Sequence, residues 1–498
     1  MKKNYFLFFI LVLAGFKIFA QTQEQKIKEF DAYIEKVRQD WHAPGMAVAV
    51  VKDGKVLLQK GYGLRESGKE DKVNSQTLFS CASTTKAMTV ACLGILVDEG
   101  KIKWEDPVIN YLPDYQLYDP FVTRELRIID LLTHNSGVGN TDFLWTFSDL
   151  PAKEMLNRMR LVKPSYSLRS SFIYQNLFYM AAGEVIEKVS GKPWEVFIQE
   201  RIFTPLGMSR TAPKRKYIKD NNQVTPHYEV EKKIKTVSYT PDEQIGAAGS
   251  VWSSIEDMTK WMICLLDSSK YSGGRLLKPA TWAMMFRPAV IVPENEFYPT
   301  MQLIKPNWTT YALGWFQHDY KGKKINYHTG SLDGLTAIHA QLPDQKLGIY
   351  VFGNLDHAEA RHVLVYKAFD VFALGGSTDW NKELLSLYGK IREKNEKIKK
   401  DFETAQILNT TPSLPLADYA GKYSDPLYGE LTIELKDGKL EVDINHFESA
   451  TLVHWHLNTF RGSYKKDWYG KALATFSFNG NGKIEKINLD GMEFSKTK

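Results

Sequence analysis

Three cysteines in 498 residues are too few, and odd in number, for a disulfide framework. Cys81, Cys92 and Cys264 read instead as small buried side chains. The chain carries no G-x-S-x-G, so it lacks the nucleophile elbow of an α/β-hydrolase. It carries no H-E-x-x-H, and its eleven histidines form no ligand cluster, so no metal is expected. No lysine or arginine block marks a nucleic-acid binder. No apolar run reaches the ~20 residues that a membrane-spanning helix needs. The remaining composition, 43% hydrophobic and 24% charged, is that of a folded globular chain. Its length predicts two or three domains.

The longest apolar run is residues 5–16, behind Lys2 and Lys3 and ahead of Ala20. That is the layout of a signal peptide, read as residues 1–20 with cleavage after Ala20. No cysteine follows to carry a lipid anchor. The expectation is an exported protein, periplasmic or secreted, with no stable membrane insertion after cleavage. Loss of Lys2, Lys3 and Lys17 lowers the formal charge from +6 to +3.

Residues 25–40 show helical spacing through Ile27, Phe30, Ile34 and Val37. Residues 46–51 read as a buried strand, Asp53-Gly54 as a hairpin turn and 56–62 as its return. Residues 78–96 read as one long helix, and 105–245 as helices and loops. Ser253 and Glu256 have capping-box spacing ahead of an apolar run. Residues 311–354 return to strands. Residues 381–411 form a charged helical linker with Glu393/Lys397 and Glu396/Lys400 pairs. From residue 412 to 498 the pattern alternates as in an all-β barrel or sandwich, with a hairpin turn at Asp437-Gly438. Residues 21–380 are left as the main domain.

Ser83-Thr84-Thr85-Lys86 opens the long helix. Side chains three apart on a helix are neighbours, about 5–6 Å apart at Cβ. The helix N-terminus favours negative charge and disfavours an ammonium. Desolvation lowers a lysine pKa further, and a neutral lysine beside a serine is a workable general base. Tyr174-Gln175-Asn176 offers a phenol for proton shuttling. His328-Thr329-Gly330-Ser331 offers a strand edge along which a substrate backbone can lie. The N–H groups of Ser83 and Ser331 are suited to an oxyanion hole.

In this order the three motifs resemble those of the serine β-lactamase and penicillin-binding-protein superfamily, closest in its class C-like branch. Further segments carry the likeness: Pro44-Gly45-Met46-Ala47-Val48-Ala49-Val50, Lys60-Gly61-Tyr62-Gly63, Leu131-Leu132-Thr133-His134-Asn135-Ser136-Gly137 and Gly249-Ser250-Val251-Trp252-Ser253. The resemblance implies an α/β (α+β) fold, an antiparallel sheet flanked by helices with a helical subdomain. It implies Ser83 as nucleophile, Lys86 and Tyr174 as proton carriers, and Asn176, His328, Thr329, Gly330 and Ser331 along the substrate. It implies no cofactor and a small-molecule or peptide substrate with an ester or amide bond. Transfer of the acyl group to an alcohol or amine, or slow turnover as in a penicillin-binding or sensor protein, remain open. The tail resembles a lipocalin-like domain through Tyr419, Gly421, Tyr423, Tyr428-Gly429 and His454-Trp455-His456.

One departure stands out. β-Lactamases of this branch carry lysine where this chain has His328. Histidine is largely neutral at pH 7, so a substrate carboxylate loses a fixed cation, and esters or peptides are favoured over β-lactams. His134 reads as loop structure rather than as a catalytic base.

Overall fold

The apolar run at 46–51 forms the strand Gly45–Lys52 in the computed structural model of this chain, which describes residues 22–241, 244–356 and 359–497. The leader expected over residues 1–20 lies outside the described residues. The strand lacks a polar face because both its faces are covered. Ala47, Ala49 and Val51 share one core with the helices Thr85–Asp98 and Ile255–Leu266. Met46, Val48 and Val50 share another with the helices Gln23–Asp40 and Ala360–Phe369. Asp53 and Gly54 both take positive φ, 50° and 73°, while Lys52 pairs with Lys55. This is the two-residue hairpin whose twist matches that of the strands.

The main sheet has eight antiparallel strands. In spatial order they are Lys55–Gly63, Gly45–Lys52, Leu347–Gly353, Leu335–Leu342, Lys323–Leu332, Phe316–Tyr320, Thr309–Tyr311 and Val290–Ile291. The first hairpin therefore pairs with strands near residue 350, and the helical region is inserted between them. The expected fold class is the one observed.

Two local expectations need correction. Residues 78–96 are not one helix. Leu78–Ser80 is a short strand paired with Trp252–Ser254, and the helix starts only at Thr85. The apolar residues of both segments are buried, and burial alone does not separate a strand from a helix start. The cap of the helix Ile255–Leu266 is Ser254, whose hydroxyl accepts from the Asp257 N–H, while the Ser253 hydroxyl bonds Thr211. The three cysteines are free and buried. Among the described residues no helix is long and apolar enough to cross a membrane.

The charged helix runs over Trp380–Thr404 and anchors by its first turns, where Leu384 and Leu387 are buried. A closed barrel of eight antiparallel strands follows, from Gly421–Asp425 to Met492–Lys496. Eight strands enclose a space that side chains just fill. Tyr419, Tyr423, Leu440, Phe460, Phe476 and Phe494 fill it here. Phe147 of the main domain belongs to the same apolar cluster, against Tyr464 and Tyr469. Next to it, Trp468 Nε1 and the Tyr469 hydroxyl both donate to Asp333, at the turn after Lys323–Leu332. The barrel thus grips the main domain through Tyr469, and through Asn445, which donates to the Phe147 carbonyl oxygen.

Candidate active site

Ala82 takes a left-handed φ of 45°, which turns the chain sharply between the strand Leu78–Ser80 and the helix Thr85–Asp98. Ser83 sits in that turn, part-exposed, and Lys86 is the second residue of the helix behind it. The helix is apolar on nearly all sides and is buried along its length, which carries Lys86 into the core. The strand Lys323–Leu332 lies directly over the turn. A Cβ on Gly330 would meet the Cys81 carbonyl oxygen at 2.3 Å and the Ser83 nitrogen at 3.1 Å, so only glycine permits this approach.

Lys86 Nζ lies 3.1 Å from Ser83 Oγ, 2.7 Å from Asn176 Oδ1 and 2.8 Å from the Ala248 carbonyl oxygen. Burial draws its pKa down to about 7, with Asp142 pulling the other way. A neutral amine has two N–H donors and one lone pair. Asn176 and Ala248 offer only acceptors, so they take the two donors. The lone pair is then left facing the Ser83 hydroxyl, the arrangement a general base requires.

Tyr174 and Asn176 stand at the start of the helix Asn176–Ser190, which Gln175 caps by accepting from the Leu177 N–H. Lys86 Nζ lies over the Tyr174 ring, 4.9 Å from its centre. The Tyr174 hydroxyl is buried and lies against Ser83 without a hydrogen bond of full geometry. Burial raises its pKa well above the ordinary value, so the phenol keeps its proton at neutral pH. Asn176 Nδ2 donates to both oxygens of Asp142, at 3.0 and 3.2 Å, which turns the amide oxygen toward Lys86.

The third motif divides between the two faces of its strand. Ser331 is exposed, and Thr329 bonds the Tyr298 hydroxyl. His328 is 1% exposed, with Nε2 on the Tyr311 hydroxyl at 2.9 Å and Nδ1 on the Thr329 carbonyl oxygen at 2.6 Å. His328 was expected along the substrate, but with both nitrogens engaged in the interior its ring offers no direct contact to a substrate group. Burial, and the positive charge of Lys86, push its pKa down to about 3, so it is neutral. His328→Lys would place a charge among Tyr311, Phe316 and Tyr174. We expect Tm to fall by on the order of 5–10 °C, with no rise in cephalosporin turnover relative to ester turnover. A melting curve and the ratio of the two rates check both parts.

A family profile described as Beta-lactamase matches residues 30–371. The chain belongs to the beta-lactamase family. A second profile, a domain of unknown function (DUF3471), matches residues 405–498. Among curated relatives, the unguisins hydrolase ungD' of Aspergillus campestris is 29% identical over 432 residues, covering 82% of this chain and 77% of its own. The structure of the octameric penicillin-binding protein homologue from Pyrococcus abyssi aligns at 20% identity and a TM-score of 0.62, covering 94% of this chain and all of that one. D-amino acid amidase from Ochrobactrum anthropi SV3 aligns at 20% identity and a TM-score of 0.58, covering 69% of this chain and 98% of its own. These two share the beta-lactamase fold.

Three parts of this beta-lactamase-family site were not found from sequence. Asp142 orients Asn176, yet no spacing links it to either motif. Arg361 is buried and donates to the Gly330 and Ala337 carbonyl oxygens and to Ser331 Oγ, while Glu359 holds it in two further bonds. A lone arginine some thirty residues past the third motif gives no signal. His134, read as loop structure, lies buried against the Tyr174 ring, 4.3 Å between centres. Among the described residues no group of three or more His, Cys, Asp or Glu side chains is placed to hold a metal. The His454 ring meets the Leu457 carbonyl oxygen and the His456 ring accepts from the Ile407 N–H.

Proposed function

We propose that this chain is an exported serine hydrolase that opens an ester or amide bond through an acyl-enzyme on Ser83. The observation that carries the reading is the Lys86 amine, drawn to a pKa of about 7 and left with its lone pair toward Ser83 Oγ at 3.1 Å. Lys86 takes the Ser83 proton as Oγ bonds the carbonyl carbon. The N–H groups of Ser83 and Ser331 receive the oxyanion. Collapse breaks the bond to the leaving group, which takes its proton through Tyr174. Water, activated by the same relay, then attacks the acyl carbon, the ester bond to Oγ breaks, and Ser83 regains its proton. Tyr174 holds a proton at rest, so it serves as a carrier while Lys86 is the base. The relatives named as a hydrolase and an amidase favour an amide among the substrates. The leader at residues 1–20 supports export.

A panel of p-nitrophenyl esters, D- and L-amino-acid amides and a chromogenic cephalosporin tests the reading. Steady turnover of an ester or amide is the expected result. A single burst with no steady state would instead mean a protein that is acylated and stalls.

The barrel is proposed as a wall of the substrate cleft. Trp468 and Tyr469 hold Asp333, two residues beyond Ser331. Trp468→Ala is expected to change the ratio of large-substrate to small-ester kcat/KM by about tenfold, the usual scale of an apolar wall contact. An unchanged ratio with both rates intact would leave the barrel a structural role only.

A further inference from the structure

The Tyr174 hydroxyl makes no hydrogen bond of full geometry, so its place beside Ser83 depends on what holds the ring. Two imidazoles lie against that ring: His134 at 4.3 Å and His328 at 6.1 Å between centres. Tyr311 joins the two imidazoles, with its hydroxyl 3.3 Å from His134 Nε2 and 2.9 Å from His328 Nε2.

The direction of every bond in this chain follows from its two ends. The Gln175 N–H can only donate, and it meets His134 Nδ1 at 3.1 Å. His134 Nδ1 is therefore an acceptor, and the proton of the neutral ring is on Nε2. The Thr329 carbonyl oxygen can only accept, and it meets His328 Nδ1 at 2.6 Å. His328 Nδ1 therefore carries its proton, and Nε2 accepts. Tyr311 must then accept from His134 and donate to His328, the one role that satisfies both rings. Both imidazoles are buried, and desolvation holds both neutral. The result is a one-way line of four hydrogen bonds from the backbone beside Tyr174 to the backbone of the strand beside Ser331.

We propose that Tyr311 is a positioning residue for the proton relay: by bonding His134 on one side and His328 on the other, it fixes the two rings that set the Tyr174 phenol against Ser83. The proposal rests on the reading of Tyr174 as proton carrier. Tyr311 is itself 0% exposed and touches no reacting atom directly. Its effect on the reaction runs through Tyr174.

Steady-state kinetics of Tyr311→Phe, Tyr174→Phe and the double variant on p-nitrophenyl acetate test this. Tyr311→Phe is expected to lower kcat by about 10–100-fold, the scale of a displaced catalytic group, with KM changed by less than about twofold. In the Tyr174→Phe background it is expected to add almost nothing, since no hydroxyl remains to be placed. A purely structural tyrosine would impose the same loss in both backgrounds. If the two losses multiply, or if Tyr311→Phe retains wild-type kcat while Tyr174→Phe is crippled, the positioning role is overturned and the relay stands. If Tyr174→Phe itself keeps wild-type kcat, the relay reading falls and the positioning role falls with it. Should Tyr311→Phe fail to fold, His134→Asn carries the same test. Asparagine tolerates the left-handed φ of 59° at that position and can still accept from the Gln175 N–H, yet it is too short to reach Tyr311.

Discussion

Ser83→Ala is expected to abolish covalent labelling by a fluorophosphonate and to lower turnover by at least ~10³-fold, toward the ~10⁶ seen when the nucleophile of a concerted unit is removed. The geometry leaves no neighbour to take over. Thr84 Oγ1 donates to the Cys81 carbonyl oxygen and lies 2.5 Å from the Tyr350 hydroxyl. Thr85 Oγ1 accepts from the Val251 N–H. Both threonines are buried, so neither offers a free hydroxyl to a reagent in the cleft. The variant should also fold. Ser83 is part-exposed, and its loss costs Lys86 one of three partners while Asn176 and Ala248 remain. Intact-mass measurement reads the label directly: one adduct on the native protein and none on the variant. An adduct that survives in a folded Ser83→Ala protein would place the nucleophile elsewhere and end the acyl-enzyme scheme.

What the sequence disclosed about fold and site follows the range of the interactions involved. Turns and strands are set by neighbours in the chain. Asp53-Gly54 and Asp437-Gly438 were both legible as hairpins, and both pairs take the positive φ angles that such a turn needs. The alternation in the tail was legible as strands for the same reason: Leu431 and Ile433 point into the barrel, while Leu435 is exposed at the strand's end. The start of the helix Thr85–Asp98 was misplaced because the decisive event, a left-handed alanine at position 82, has no sequence mark: alanine ordinarily avoids that region. Ser83, Lys86, Tyr174 and Gly330 stood out because each lies in a short motif, and the fold brings them together. Asp142, Tyr311 and Arg361 did not, because each acts on partners from 17 to 177 residues away, and only the folded chain supplies the contact. His328 shows the limit from the other side. Its motif was seen, but strand direction and depth decide whether a side chain meets substrate or core, and here the ring turns to the core.

The pH dependence of kcat/KM should report Lys86. Only the neutral amine can accept the Ser83 proton, and burial places its pKa at about 7. With a non-ionising ester, the rate is therefore expected to rise about tenfold per pH unit below that value and to level off above it. Tyr174 does not add a second limb in the same range, because burial holds its pKa well above 10. The Asp142 charge raises the Lys86 pKa, acting against burial. Asp142→Asn removes that charge and should move the limb to lower pH, with the plateau lowered to the extent that Asn176 loses its orientation. Lys86→Ala should cost on the order of 10²–10⁴ in rate and erase the limb near pH 7, leaving at most the slope of uncatalysed hydroxide attack. Tyr174→Phe should cost a similar factor and keep the limb, because Lys86 still titrates. Combined, the two substitutions should cost little more than either alone, since a relay is broken at its first missing member. A limb that persists in Lys86→Ala would assign the titration to another group, and a double variant that falls by the full product of the single losses would mean that Lys86 and Tyr174 act in separate steps.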